Sequence, residues 1–172
     1  MSIVDLSGRV TPGHGAAGLV LGQHFQDIRG ALGAVEPWQA RGRGLVETIA
    51  CTDGWLQVDA SPLAGPGVNG KILCFKCGAL VLHFSAQGDI LCGIDVYSGY
   101  GGAVFSDVRV GDPMAAALRH CALAYDGADA MYYPLGHAAR GIAFCVGETG
   151  ASDLARREIV GMSVHRRDLA RA

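Results

Sequence analysis

A chain of 172 residues and 17.8 kDa buries roughly 70% of its unfolded surface when it folds, so it needs no crosslinks to form a core. Half of the residues are apolar and the mean hydropathy is +0.27, which excludes a disordered chain. No apolar run approaches the ~18 residues of a membrane-spanning helix. Lys and Arg number 14 against 16 Asp and Glu, a balance that gives no global attraction to nucleic acid or acidic lipid.

In chain order, residues 11–18 are dense in Pro and Gly and read as loop. A short apolar strand follows at residues 19–22. Phe25, Ile28 and Leu32 then mark one face of a helix over residues 23–32, with Gly33 as its stop. Residues 36–44, with Pro37 and Trp38, read as loop. Residues 45–51 and 55–59 read as two strands about an Asp53-Gly54 turn, and residues 61–70 as a loop. Residues 71–84 read as strand broken near Gly78. Residues 90–97 are a further strand, in which Asp95 between Ile94 and Val96 gives the alternation of a one-sided sheet. Residues 105–110 read as short strand. Asp112 and Pro113 suit the N-cap and first turn of a helix over residues 113–121. Residues 131–133 and 141–146 read as the last core strands, with a short helix at 152–157 followed by residues 158–164. The expectation is α+β: an antiparallel sheet carrying two or three short helices.

An internal echo links the two ends of this pattern. Residues 18–22 (Gly-Leu-Val-Leu-Gly) lead into a helix carrying Phe25 and Ile28. Val108-Arg109-Val110-Gly111 leads into a helix carrying Met114 and Leu118. The expectation is a single domain, 1–172, made of half-modules at approximately 11–97 and 98–165.

Six cysteines stand at 51, 74, 77, 92, 121 and 145. The N-terminus lacks a basic stretch followed by an apolar one, so the cytoplasm is the default and reduced, buried thiols are expected. Cys74-Phe75-Lys76-Cys77-Gly78 has the shape of one zinc knuckle, but a structural zinc site needs four ligands and no second such pair exists. No metal and no cofactor is expected, with Cys74 and Cys77 the outside candidates.

Enzyme signatures are sparse. No Gly-x-Ser-x-Gly elbow and no His-Glu-x-x-His is present. His120 and Cys121 are adjacent, so on a helix they diverge by about 100°. Gly13 to Gly18 spells Gly-x-Gly-x-x-Gly, but a strand follows it where a dinucleotide fingerprint needs a helix. Partner binding is the third possibility. Trp38 and Tyr100, in polar or Gly-rich loops, are expected to be exposed anchors. Asp53, Asp107, Asp126 and Asp129 are the candidate acidic contacts. The C-terminal arginines, among them Arg156, Arg157 and Arg166, read as a solvated tail.

The segments Pro12-Gly13-His14-Gly15-Ala16-Ala17-Gly18-Leu19-Val20-Leu21-Gly22, then Ile94-Asp95-Val96-Tyr97 with Gly99-Tyr100, Val108-Arg109-Val110-Gly111, and Arg140-Gly141-Ile142-Ala143-Phe144 resemble, in order, the motifs of a group of small bacterial proteins. Their pattern opens PGxGxGGIxLG, continues through GYxG and IxIG, and closes on GIxFE. Cys145 stands where that family often has Glu. Members of this group resemble immunity proteins of polymorphic toxin systems. The resemblance implies a cytoplasmic protein without catalytic residues that binds a cognate bacterial toxin and blocks its active site. A small hydrolase using a Cys/His pair and a small-ligand binding module are the alternatives.

Overall fold

The computed structural model describes residues 3–39, 42–59, 70–136, 139–147 and 153–166. They form an α+β fold with eleven strands and three short helices among the described residues. Two strands, β1 (Gly15–Ala16) and β2 (Leu19–Val20), make a small hairpin. The other nine form one sheet. They are β3 (Val35–Pro37), β4 (Trp55–Asp59), β5 (Lys71–Phe75), β6 (Leu80–Phe84), β7 (Leu91–Tyr97), β8 (Leu123–Asp126), β9 (Met131–Pro134), β10 (Ile142–Val146) and β11 (Ile159–His165). Their order is β3-β4-β5-β6-β7-β11-β10-β9-β8. Every pairing is antiparallel except β3 with β4.

Period-two alternation assigns the faces of the sheet. Leu80, Leu82 and Phe84 of β6, Ile94 and Val96 of β7, and Met162 and Val164 of β11 are buried in the main core. Helix α1 (Phe25–Ala31) covers that core with Phe25 and Ile28, and α3 (Ala115–Leu118) covers it with Ala116 and Ala117. Phe25 meets Phe84 edge-on, ring centroids 5.1 Å apart. Helix α2 (Leu45–Cys51) sits on a second, smaller cluster, where Leu45 and Ile49 pack over Leu56, Val58 and Cys74.

Three expectations are corrected. Residues 45–51 are helical, not strand. Their β-branched residues suggest a strand, but only Leu45 and Ile49, four apart, are needed on the sheet, and Val46 is left 82% exposed. The Thr48 hydroxyl donates to the Gly44 carbonyl and that of Thr52 to Thr48, contacts that suit β-branched residues to a helix. Residues 105–110 are not a strand. Val104 and Val108 exchange both hydrogen bonds around a tight turn. Strand β8 lies in a segment given no element from sequence, and β3 lies where loop was expected. The expected loop at 61–70 falls, except for Gly70, outside the described residues.

The two halves repeat one hydrogen-bond pattern. The Gly22 N–H donates to the Leu91 carbonyl and the Gly111 N–H to that of Ile159, both at 2.8 Å. Leu91 and Ile159 donate back to Gln23 and Asp112, and Phe25 and Met114 donate to Asp89 and Arg157. Both glycines hold positive φ, 101° and 96°, a conformation that Gly adopts without steric cost. The β6–β7 and β10–β11 registers also coincide, down to a bulge at His83/Phe84 and at Cys145/Val146. Strands β7 and β11 pair across the middle, with Tyr97 opposite Gly161, Gly93 opposite His165, and Asp95 opposite Ser163. The Asp95–Ser163 pair therefore lies on the pseudo-two-fold relating the halves.

Candidate functional site

The face of the central sheet turned away from the main core carries the polar side chains. Asp95 is at its centre, its side chain only 15% exposed. The His83 Nε2 lies 2.7 Å from its Oδ2. Burial by itself would raise the Asp95 pKa, but the hydrogen bond and charge of His83, with help from Ser163 and His165, hold it below the ordinary carboxylate value. Burial would lower the His83 pKa, and Asp95 reverses this and raises it. Burial, then the charge of Asp95, also push up the Tyr97 phenol. Tyr97 lies across Gly161, where a Cβ would come within 2.6 Å of its ring.

A Ser, a His and an Asp thus share one face, but in an order unsuited to nucleophile activation. In a hydrolytic triad the imidazole stands between hydroxyl and carboxylate. Here β7, with Asp95, separates His83 on β6 from Ser163 on β11. Two strand spacings of about 4.8 Å part the imidazole from the hydroxyl. Four of the thiols are equally unsuited, since a reactive cysteine needs a lowered pKa. Burial pushes Cys74 up to about 11, and also raises Cys92, Cys121 and Cys145. Cys74 faces the core under α2 while Cys77 is exposed in the β5–β6 turn, and no group of three His, Cys, Asp or Glu suited to a metal occurs among the described residues.

At the β8 end of the sheet opens a cleft of about 820 Å³. Tyr125 and Asp126 of β8, Tyr133 of β9, His165 of β11, and Arg140 and Arg166 line it. Tyr133 meets His165 edge-on at 5.6 Å, and Tyr125 packs on Tyr132 at 5.0 Å. His165 joins the cleft to the polar centre, because its charge contributes to lowering Asp95. Strand β8 is the outermost of the sheet, so one row of its backbone groups has no strand beside it among the described residues. Tyr125 is 59% exposed there, and Leu135, just beyond β9, is 61% exposed.

The residues singled out from sequence do not form one surface. Tyr100 is buried at 4%, contrary to the expected exposure. Its hydroxyl donates to the Gly8 carbonyl at 2.5 Å and accepts from the Ala17 N–H at 2.9 Å, so its polar tip is spent inside the fold. Trp38 is half-buried against the α2 cluster, its indole N–H buried with no acceptor among the described residues. Asp53 is exposed between α2 and β4, near the opposite edge of the sheet from β8. Asp107 pairs with Arg119 at 3.0 Å and with His120 at 2.7 Å. Asp126 lines the cleft, and Asp129 stands beside it, accepting from the Tyr133 hydroxyl. Only these last two adjoin the cleft. Arg140 and His165, which complete it, become visible as neighbours only once β9, β10 and β11 are known to be adjacent.

No family model and no curated protein matches the chain. Among solved structures it is similar to the uncharacterized protein yfeY from Escherichia coli, at 13% identity over 60% of this chain and 77% of that chain, with a TM-score of 0.45. At that distance the likeness says nothing of function. No helix among the described residues is long and apolar enough to cross a membrane.

Proposed function

We propose that this chain is a binding protein that acts on a protein partner through the β8 edge and its cleft. The observation that carries the reading is the composition of that edge. Tyr125 and Leu135 project apolar surface to solvent beside a concavity lined by Tyr133, Arg140 and Arg166. Tyr and Arg are the residue types most enriched at interface hot spots, and a large aromatic exposed at a cleft rim is a natural anchor. An edge strand adds backbone donors and acceptors that an incoming strand can pair with. The sequence resemblance supplies the kind of partner: a cognate bacterial toxin, neutralised by occlusion of its active site without turnover.

The test is co-expression with the toxin encoded beside the gene. The chain is expected to form a stoichiometric complex and to protect the cell. Tyr125→Ala is expected to weaken the complex at least about tenfold, as loss of an interface aromatic does, without altering the fold. No complex and no protection would remove the toxin reading. The cleft volume also lies within the range of small-molecule pockets. A metabolite retained through purification and lost with Arg140→Ala, in a chain that binds no toxin, would establish that second reading instead.

A further inference from the structure

A separate basic depression of about 320 Å³ lies where the N-terminal segment meets the turn after Val104. Ser7, Arg9, Gly101, Gly102, Ser106 and Arg109 line it. Arg9 and Arg109 are both exposed, and among the described residues neither guanidinium has an ion pair or hydrogen bond. Of the nearby carboxylates, Asp107 is paired with the cationic side chains of Arg119 and His120, while Asp5 and Asp112 accept from the backbone N–H groups of Ser7 and Arg109. Arg9 and Arg109 thus share one small concavity with the Ser7 hydroxyl, the Ser106 hydroxyl being turned to the Phe105 carbonyl.

The internal repeat marks this place as unusual. In the first half, the β1–β2 turn takes positive φ at Ala17 (56°) and Gly18 (81°). The turn of the second half, three residues between Val104 and Val108 where the first has two between Ala16 and Leu19, takes nearly the same angles at Phe105 (52°) and Ser106 (78°). Where the first half has the glycine suited to that conformation, the second has a serine, which is disfavoured there. The Phe105 ring, packed on His120 and Phe144 with centroids 5.1 and 6.5 Å away, anchors the turn. Ser106 is one of seven non-glycine residues with positive φ among the described residues, and that turn places it at the rim. The floor is close-packed backbone: a Cβ on Gly102 would lie 1.9 Å from the Gly8 carbonyl oxygen.

We propose that this depression is an anion site for a phosphoryl group, either inorganic phosphate or the phosphate of a monoester. The tetrahedral dianion matches the two guanidinium groups, which have no partner among the described residues and bind phosphate oxygens through fixed forks of N–H donors. The Ser7 hydroxyl supplies a further donor, while that of Ser106 already donates to the Phe105 carbonyl.

The experiment is a titration of the full chain with inorganic phosphate, with O-phosphoserine, and with chloride at matched ionic strength, read by amide NMR. Phosphate is expected to shift the amides of Ser7, Arg9, Gly102, Ser106 and Arg109 in a saturable manner that chloride does not reproduce. Arg9→Gln and Arg109→Gln, both at exposed positions, are each expected to weaken binding about tenfold or more, as loss of a charge-assisted hydrogen bond does. Tighter binding of O-phosphoserine than of phosphate would identify a monoester as the ligand. Equal binding would identify free phosphate. Shifts that chloride matches, or that survive in the Arg9→Gln/Arg109→Gln double variant, would overturn the site.

Discussion

One hydroxyl ties together three segments distant in sequence. Tyr100 joins the Gly8 carbonyl and the Ala17 N–H, and Ala17 is fully buried. Tyr100→Phe keeps the ring and leaves that N–H without its acceptor. It is expected to cost about 1–3 kcal/mol in urea denaturation, the penalty of an unpaired buried donor, with little change in m-value. The His83–Asp95 pair makes a prediction of opposite character. Because the folded pKa of His83 is raised, its contribution is complete below about pH 6.5 and is lost as pH rises through the raised value. Because that of Asp95 is lowered, its contribution is complete above about pH 4 and is lost as pH falls through the lowered value. The pair therefore stabilises most between about pH 4 and 6.5. The stability gap between the native chain and Asp95→Asn should be wider at about pH 5.5 than at about pH 8.5. A gap that is flat or widens toward alkaline pH would contradict the pairing.

At the scale of elements, the glycine that turns each half into its helix makes a clean test of conformation against packing. Gly111 has φ of 96°, and no atom lies within 4 Å of the point a Cβ would occupy. Gly111→Ala therefore meets no clash, and its whole cost is the left-handed backbone, about 1–2 kcal/mol. Gly111→Asn should recover part of this, since Asn tolerates that region better than Ala. Equal stability of the Ala variant and the native chain would mean that the turn relaxes. That turn is legible in the sequence, as are the alternation of β6 and β7 and the apolar face of α1, because each rests on local spacing. Strand β8 is not legible. Leu123, Ala124 and Tyr125 are half-buried or exposed at the sheet edge, so no alternation marks them. Helix α2 reads as strand because its seven residues are rich in β-branched side chains and bury none of them fully. Its form is fixed by two contacts four residues apart, which only the underlying sheet supplies. The cleft escapes the sequence for the same reason as β8: its lining comes from strands whose adjacency is tertiary.

At the scale of the molecule, the repeat raises the question of whether its halves can fold apart. The β7–β11 pairing argues that they do not. Ile94 and Val96 of one half lie opposite Val164 and Met162 of the other, and all four are buried to 1% exposure or less in the same core. Separating the halves would expose those side chains and break the central ladder, leaving Asp95 without Ser163 opposite it. Each half would also become a sheet with a long, flat, apolar edge, the arrangement most prone to aggregate. A single cooperative transition is therefore expected. Both tryptophans, Trp38 and Trp55, lie in the first half, so their fluorescence reports that half alone. The methyl resonances of Ile142 and Met114 report the second. In urea the two probes should trace one curve with one midpoint. Separate midpoints, with either half melting first, would mean that the β7–β11 seam is weaker than the core of each half, and that the repeat retains two foldable units joined side by side.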